Sequence, residues 1–239
     1  MASSDVYGPS SPLRETVSYQ SVLHGIVYRL RMDPEANLPV NLANALNEYI
    51  NTAARTAWDH YPWPDLRGIV EADTDDFTIP GDILAIYAKD PTLVNTTSQV
   101  EIGFRDVGAG IVLAKTYDKV WVEYRRPFLR YEGATWAAGS YTQNTKVYYA
   151  VDGNYYIALE NTSAVPGAST DWGQIPFPAV IAEYTKAAAT AEALRELGRY
   201  EQAELQKRDA AAMLNNKVDK LEGQSGQTRT YSAILPART

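Results

Sequence analysis

PFPAVIAEYTKAAATAEALRELGRYEQAELQKRDAAAMLNNKVDKL, residues 176–221, decides the fold. Val180, Tyr184, Ala187/Ala188, Ala191 and Leu194 recur at helical spacing and form one apolar stripe. Ala203, Ala210, Met213/Leu214 and Val218 form a second. Gly198 falls between them and fits a helix C′ position, where φ > 0 is inexpensive only for glycine. So short a connection predicts an antiparallel helical hairpin, with one continuous helix kinked at Gly198 as the alternative. The alanines let two helices approach closely, or let copies of the chain pack side by side. GQSGQTRTYSAILPART (223–239) follows and reads as an extended polar arm that cannot fold alone. Such an arm is expected to be given to a neighbour, which points toward assembly and away from catalysis.

Composition narrows the classes. The chain has 239 residues, 45% of them hydrophobic and 21% charged, within the ordinary globular range. Its formal charge is −7 and its pI about 4.9, a poor basis for gripping nucleic-acid phosphates. With no cysteine, disulfides, thiolate chemistry and Cys-based zinc sites are excluded. MASSDVYGPSSP at the N-terminus has neither the basic nor the apolar region of a secretory signal. No stretch approaches 18 apolar residues, so no membrane span is expected. Seventeen tyrosines and five tryptophans suit either a β-rich core or a surface covered by a partner.

Upstream of the hairpin, residues 1–12 read as a flexible arm. Tyr19, Val22, Leu23, Ile26 and Leu30 predict one helix, and Leu42, Leu46, Tyr49/Ile50, Ala53 and Ala57 a second. The second stops at HYPWPDL, because Pro62 and Pro64 cannot continue it. Trp58 and Trp63 are expected to anchor that junction, and Trp121 the following sheet. Strands are expected at Asp82–Ala88, Val100–Phe104, Ile111–Ala114 and Lys119–Arg125, with Val120, Val122 and Tyr124 on one face. KVYYAVDGNYYIAL predicts a hairpin turning at Asp152-Gly153. There Val147, Tyr149 and Val151 would pair with Tyr155, Ile157 and Leu159, leaving Tyr148 and Tyr156 on the opposite face.

Catalytic motifs are missing. His24 and His60 are the only histidines, HExxH is absent, and no Walker lysine or GxGxxG accompanies Gly103, Gly108 and Gly110. Asp73, Asp75 and Asp76 lack the glycine and distal glutamate of a calcium loop. GxSxG is absent, and no carboxylate pair stands out as a glycosidase would require. No catalytic residue, metal or cofactor is assigned.

Within residues 133–175, Tyr141, Val147, Tyr148, Gly153, Tyr155, Tyr156, Ala158, Pro166 and Trp172 follow a pattern that resembles small chitin- and carbohydrate-binding modules. That resemblance implies exposed rings against sugar faces, with Tyr148, Tyr156 and Trp172 as the candidate glycan or partner contacts. The alternative is that the rings build a small core.

A larger resemblance covers about 190 residues. LANALNEYINTAARTAWDHYPWPDL (42–66), IPGDILAIYAKDP (79–91), GIVLAKTYDKVWVEYRRP (110–127), the stretch 176–214 and GQTRTYS (226–232) occur in the order seen in head-to-tail adaptor (connector) proteins of tailed bacteriophages. The resemblance implies a structural virion protein and not an enzyme. It implies a ring, of twelve copies in that family, docked beneath the portal protein and continuing the DNA channel. It further implies a downstream tail component (nozzle, stopper or tail tube) as second partner, no membrane partner, and DNA that passes without sequence-specific binding. The location implied is the virion, at the portal vertex, after synthesis in the host cytoplasm. Arg229, Tyr231, Ile234 and Leu235 become the expected portal-binding anchors.

The fold expected is therefore α+β. A helical body (N-terminal helices plus the C-terminal hairpin) with a small central antiparallel β-sheet would occupy 13–132 and 176–222. An inserted aromatic β-hairpin module would occupy 133–175, and the extended arm 223–239.

Overall fold

A computed structural model describes residues 15–34, 38–73, 79, 81–92, 101–106, 111–115 and 117–234; side chains are described through Gly223, Asp106 excepted. The architecture is α+β. In chain order the elements are β1 (Thr16–Val17), α1 (Tyr19–Arg29), α2 (Val40–His60), a 3-10 turn (Pro64–Leu66), β2 (Arg67–Asp73) and β3 (Asp82–Tyr87). Then come β4 (Phe104–Asp106), β5 (Ile111–Leu113), β6 (Lys119–Arg125), β7 (Ala134–Thr135), β8 (Lys146–Tyr149), β9 (Asn154–Ala158), β10 (Trp172–Ile175) and β11 (Phe177–Pro178). α3 (Ala179–Glu196) and α4 (Tyr200–Ile234) close the chain.

Two compact units divide these elements. Pro62–Ala150 and Tyr155–Pro178 form a sheet unit, while Val17–Tyr61, Val151–Asn154 and the chain from Ala179 onward form a helical unit. The helices and the small sheet, grouped by sequence into one body, thus fall in different units. The physical reason is that each set buries its apolar faces against its own kind: helix stripes on helices, and strand faces within the sheets.

In the helical unit, Ser18 caps α1 by accepting the Ser21 N–H at 3.1 Å. The turn at Val151–Asn154 satisfies two more N–H groups near that end. Gln20 N–H donates to Gly153 O at 2.9 Å, and Tyr19 N–H to Asn154 Oδ1 at 3.3 Å. α2 buries Leu46, Ile50, Ala53, Ala54, Ala57 and Trp58, and it ends before Pro62 as expected. α3 is the hub: α1, α2 and α4 all pack on it, so its alanines are buried on several sides. It ends in a Schellman cap. Gly198 stands at φ +74°, its N–H donates to Arg195 O, and the Arg199 N–H donates to Leu194 O. α4 then returns antiparallel, because Lys217 Nζ reaches Val180 O at 2.7 Å while Arg195 pairs with Glu204 near the bend. The kinked-helix alternative is thereby excluded.

α4 does not stop near Leu221. Its backbone stays helical to Ile234, so most of the stretch read as an extended arm is helix. A helix already nucleated propagates at little cost through Gln, Ser, Thr and Arg, and the two glycines at 223 and 226 do not end it.

In the sheet unit, β2-β6-β3 form an antiparallel sheet with Val70 and Ile86 both opposite Val122. Ala72, Ile86, Ile102, Val120 and Val122 make its core. Gly68 is required there: a Cβ would come within 2.6 Å of the Tyr124 ring across the strand pair. A second sheet has the order β10-β9-β8-β7. β9 and β8 are its interior strands, and β9 is buried at every residue. Val147, Tyr156, Ala158 and Trp172 share one core, while Tyr155 meets Tyr148 and Tyr131 on the other side. The expected grouping of Val147 and Tyr149 with Tyr155 and Ile157 is not what forms: Val147 and Tyr149 lie with Tyr156, and Tyr148 lies with Tyr155. The turn takes Ala150–Gly153, and any turn of even length places odd positions of β8 opposite even positions of β9, so Val147 and Tyr149 share a face with Tyr156 and not with Tyr155.

Candidate functional site

The helical unit holds the cavity that places most hydroxyl groups beside small side chains among the described residues. Between α2, α3 and α4 lies a cavity of about 410 Å³. Its floor is alanine (Ala53, Ala188, Ala191, Ala210, Ala211), and its rim carries Tyr49, Thr52, Thr56, Tyr184, Glu192 and Lys207. Small floor residues are what let the three helices approach while leaving a trough. Tyr49 Oη donates to Glu196 Oε2 at 2.8 Å, and that hydrogen bond holds its pKa above the ordinary phenol value. Burial raises the pKa of Tyr184. Both phenols therefore stay protonated donors at neutral pH. Thr56 spends its hydroxyl on Thr52 O, and Glu192 accepts from Arg195. The cavity offers hydroxyl donors over an apolar floor.

On the other side of the hairpin, Arg29, Arg31, Thr190, Leu194, Arg199, Gln202, Leu205 and Gln206 line a shallower hollow of about 260 Å³. Arg29 donates to Glu183 at 3.1 Å. Arg31 stands at φ +63°, the C′ position of α1, with its N–H on Tyr28 O and the Met32 N–H on Val27 O. Sequence reading missed this hollow entirely. The signal available was an arginine where a helix end favours glycine.

The predicted aromatic contacts do not form a sugar platform. Tyr156 and Trp172 are buried, and the Trp172 indole N–H is spent on Ala164 O at 2.9 Å. Trp172 stands edge-on to Tyr141 at 5.4 Å, and Tyr156 edge-on to Tyr149 at 6.2 Å. Of the three rings, only Tyr148 is partly exposed, and it leans on Tyr155. Trp136, which the pattern passed over, joins that core instead. The small-core alternative describes these rings.

Among the anchors, Trp58 and Trp63 are buried as expected. Trp121 is not a core residue. It is half-buried on the face of β6 opposite Val120, Val122 and Tyr124, beside the Arg67–Glu123 ion pair of that face. Of the portal-binding candidates, Arg229, Tyr231 and Ile234 lie on the helical backbone of α4, and Leu235 lies outside the described residues, as do Asp75 and Asp76. Among the described residues, no three His, Asp or Glu side chains gather as a metal site would need, and no helix is long and apolar enough to cross a membrane.

Comparison with known proteins found no protein-family model that matches this chain and no curated protein that matches it.

Proposed function

We propose that this chain is a structural virion protein, the head-to-tail adaptor of a tailed bacteriophage. The observation that carries the proposal is the α3–α4 hairpin, built on alanine and set after a Trp-Pro junction and a small antiparallel sheet. That is the order of pieces the resemblance implies. The adaptor would form a ring beneath the portal protein at the portal vertex and pass DNA onward to the next tail component. A surplus of negative charge suits a channel that repels phosphate and lets DNA slide. The C-terminal stretch after Glu222, including Arg229, Tyr231, Ile234 and Leu235, would engage the portal. Burial of Tyr156 and Trp172 removes the support for a glycan-binding reading, so none is advanced.

The test is electron microscopy of the full chain mixed with its portal. Ring-on-ring particles are expected. A chain truncated after Glu222 is expected to keep its own association but lose the portal. Absence of any joint particle, with both proteins folded, would refute the adaptor assignment.

A further inference from the structure

The two hollows beside the α3–α4 hairpin differ in charge, and the difference suggests what fills them. On α4, Ala203, Ala210 and Leu214 form the buried strip. At about 100° per residue, Lys207 and Ala211 lie to one side of it, and Gln202, Leu205 and Gln206 to the other. On the first side, Glu192 and Glu204 share the guanidinium of Arg195, and among the described residues Glu196 accepts from the neutral Tyr49 phenol and makes no ion pair, with Lys207 at the rim. On the second side the ratio is inverted. Arg29 and Lys186 share Glu183, while Arg31 and Arg199 make no ion pair among the described residues. In a chain of charge −7, a hollow with three arginines is against the average.

Backbone conformation adds an independent observation. Gly198 closes α3 at φ +74°, yet the equivalent position of α1 carries Arg31 at φ +63°. A side chain there costs the helix end stability that glycine would preserve. The cost is understandable if the guanidinium it places at the hollow has a use.

We infer that the two sides are the halves of one head-to-tail interface: the arginine hollow of one copy receives the carboxylates Glu192, Glu196 and Glu204 of a second copy. Guanidinium forks match carboxylates bidentately, and opposite charge on opposite sides makes the contact heterologous, the kind that closes into rings. Exposed Leu205 at the arginine side would cover the alanine floor of the partner's cavity. This inference rests on the adaptor reading for its side-by-side assembly, but not on the portal.

The test is light scattering of the full chain over a concentration series, without portal. Wild-type mass is expected to rise above 26.4 kDa with concentration, and less so as salt screens the contact. Arg31→Glu plus Arg199→Glu should weaken association about tenfold or more, with unchanged circular dichroism. Adding Glu196→Lys and Glu204→Lys to the same chain should restore it. If wild type associates and the reversed variant associates equally well, the arginine hollow is not the interface, though rings and the adaptor reading stand. A compensated chain that stays weak overturns the pairing of the two sides. A wild type that remains monomeric throughout overturns self-association through these sides, and the portal experiment then judges the adaptor reading alone.

Discussion

The aromatic sheet and the helical hairpin solve the same packing problem with opposite materials. β7–β10 are held by a few large rings: Trp172, Tyr156, Tyr141, Tyr149 and Trp136 around one small core. α3 is held by many small contacts, with Ala182, Ala187, Ala189, Ala191 and Ala193 buried among three helices. A ring-built core concentrates its stability in single side chains, whereas an alanine-built one spreads it over backbone proximity. The two regions should therefore fail in different ways. Removal should break the first, and addition the second.

The largest effect is expected from Trp172→Ala. The indole is buried, stacks edge-on with Tyr141, and donates to Ala164 O. Its loss leaves a cavity and an unmatched carbonyl, and the expected cost is about 3–5 kcal/mol. Urea unfolding followed by tyrosine fluorescence should show the sheet unit melting first. A cost below about 1 kcal/mol would mean that the rings do not hold this sheet. Next comes Ala191→Leu on α3, buried beside the trough. Overpacking there should cost about 1–3 kcal/mol. A neutral result would show slack between the helices and would undercut the close-approach argument for the hairpin.

These contrasts bear on what was legible beforehand. Periodicity located α2, α3 and β6 because each has a regular apolar face, and Pro62 and Gly198 marked their ends by fixed chemistry. What escaped was anything that depends on partners far along the chain. The face on which Tyr156 lies is set by its pairing across the turn, and the paired tyrosines at 148–149 and 155–156 carry no alternation to mark it. Trp121 sits between two core valines, and alternation alone predicts the outward face that it takes. The α4 backbone beyond Leu221 has no apolar stripe to announce it. The arginine hollow joins α1, α3 and α4, and only packing brings Arg31 and Arg199 to one place.

A smaller effect separates the two helix ends. Gly198→Ala meets no atom within 4 Å, so only φ +74° opposes it, and a cost of about 1 kcal/mol is expected. Arg31→Gly relieves the same kind of strain on α1 but loosens the unfolded chain, so stability should change by less than about 1 kcal/mol. If Arg31→Gly costs appreciably more, the Arg31 side chain stabilises the monomer itself, and its helix-end strain no longer argues for a role at an interface. Thermal melts of both variants against wild type make the comparison directly.

The smallest effect is a pH dependence, larger in the sheet unit than in the helical unit. Burial, and then its hydrogen bond to Glu123 Oε2, push Tyr87 from 10.0 to about 12. The native state therefore keeps a proton between pH 10 and 12 that the unfolded chain has released. Where the native state binds more protons, stability falls as pH rises. The contribution of this phenol is thus complete below pH 10 and is lost as pH passes through 12. Tyr87→Phe should lower stability modestly at neutral pH, by the net worth of one hydrogen bond, about 1 kcal/mol. The difference between variant and wild type should then shrink as pH rises from 10 to 12, because wild type loses what the variant never had. Tyr49→Phe provides the matching measurement in the helical unit, where a hydrogen bond to Glu196 raises a more exposed phenol. Its dependence should have the same sign and a smaller amplitude, since water screens that pair more. Urea midpoints at pH 8 through 12 for the three proteins decide the matter. Should Tyr49→Phe prove the steeper, the α2–α3 trough is drier than its open rim suggests, and its phenol belongs to a packed contact.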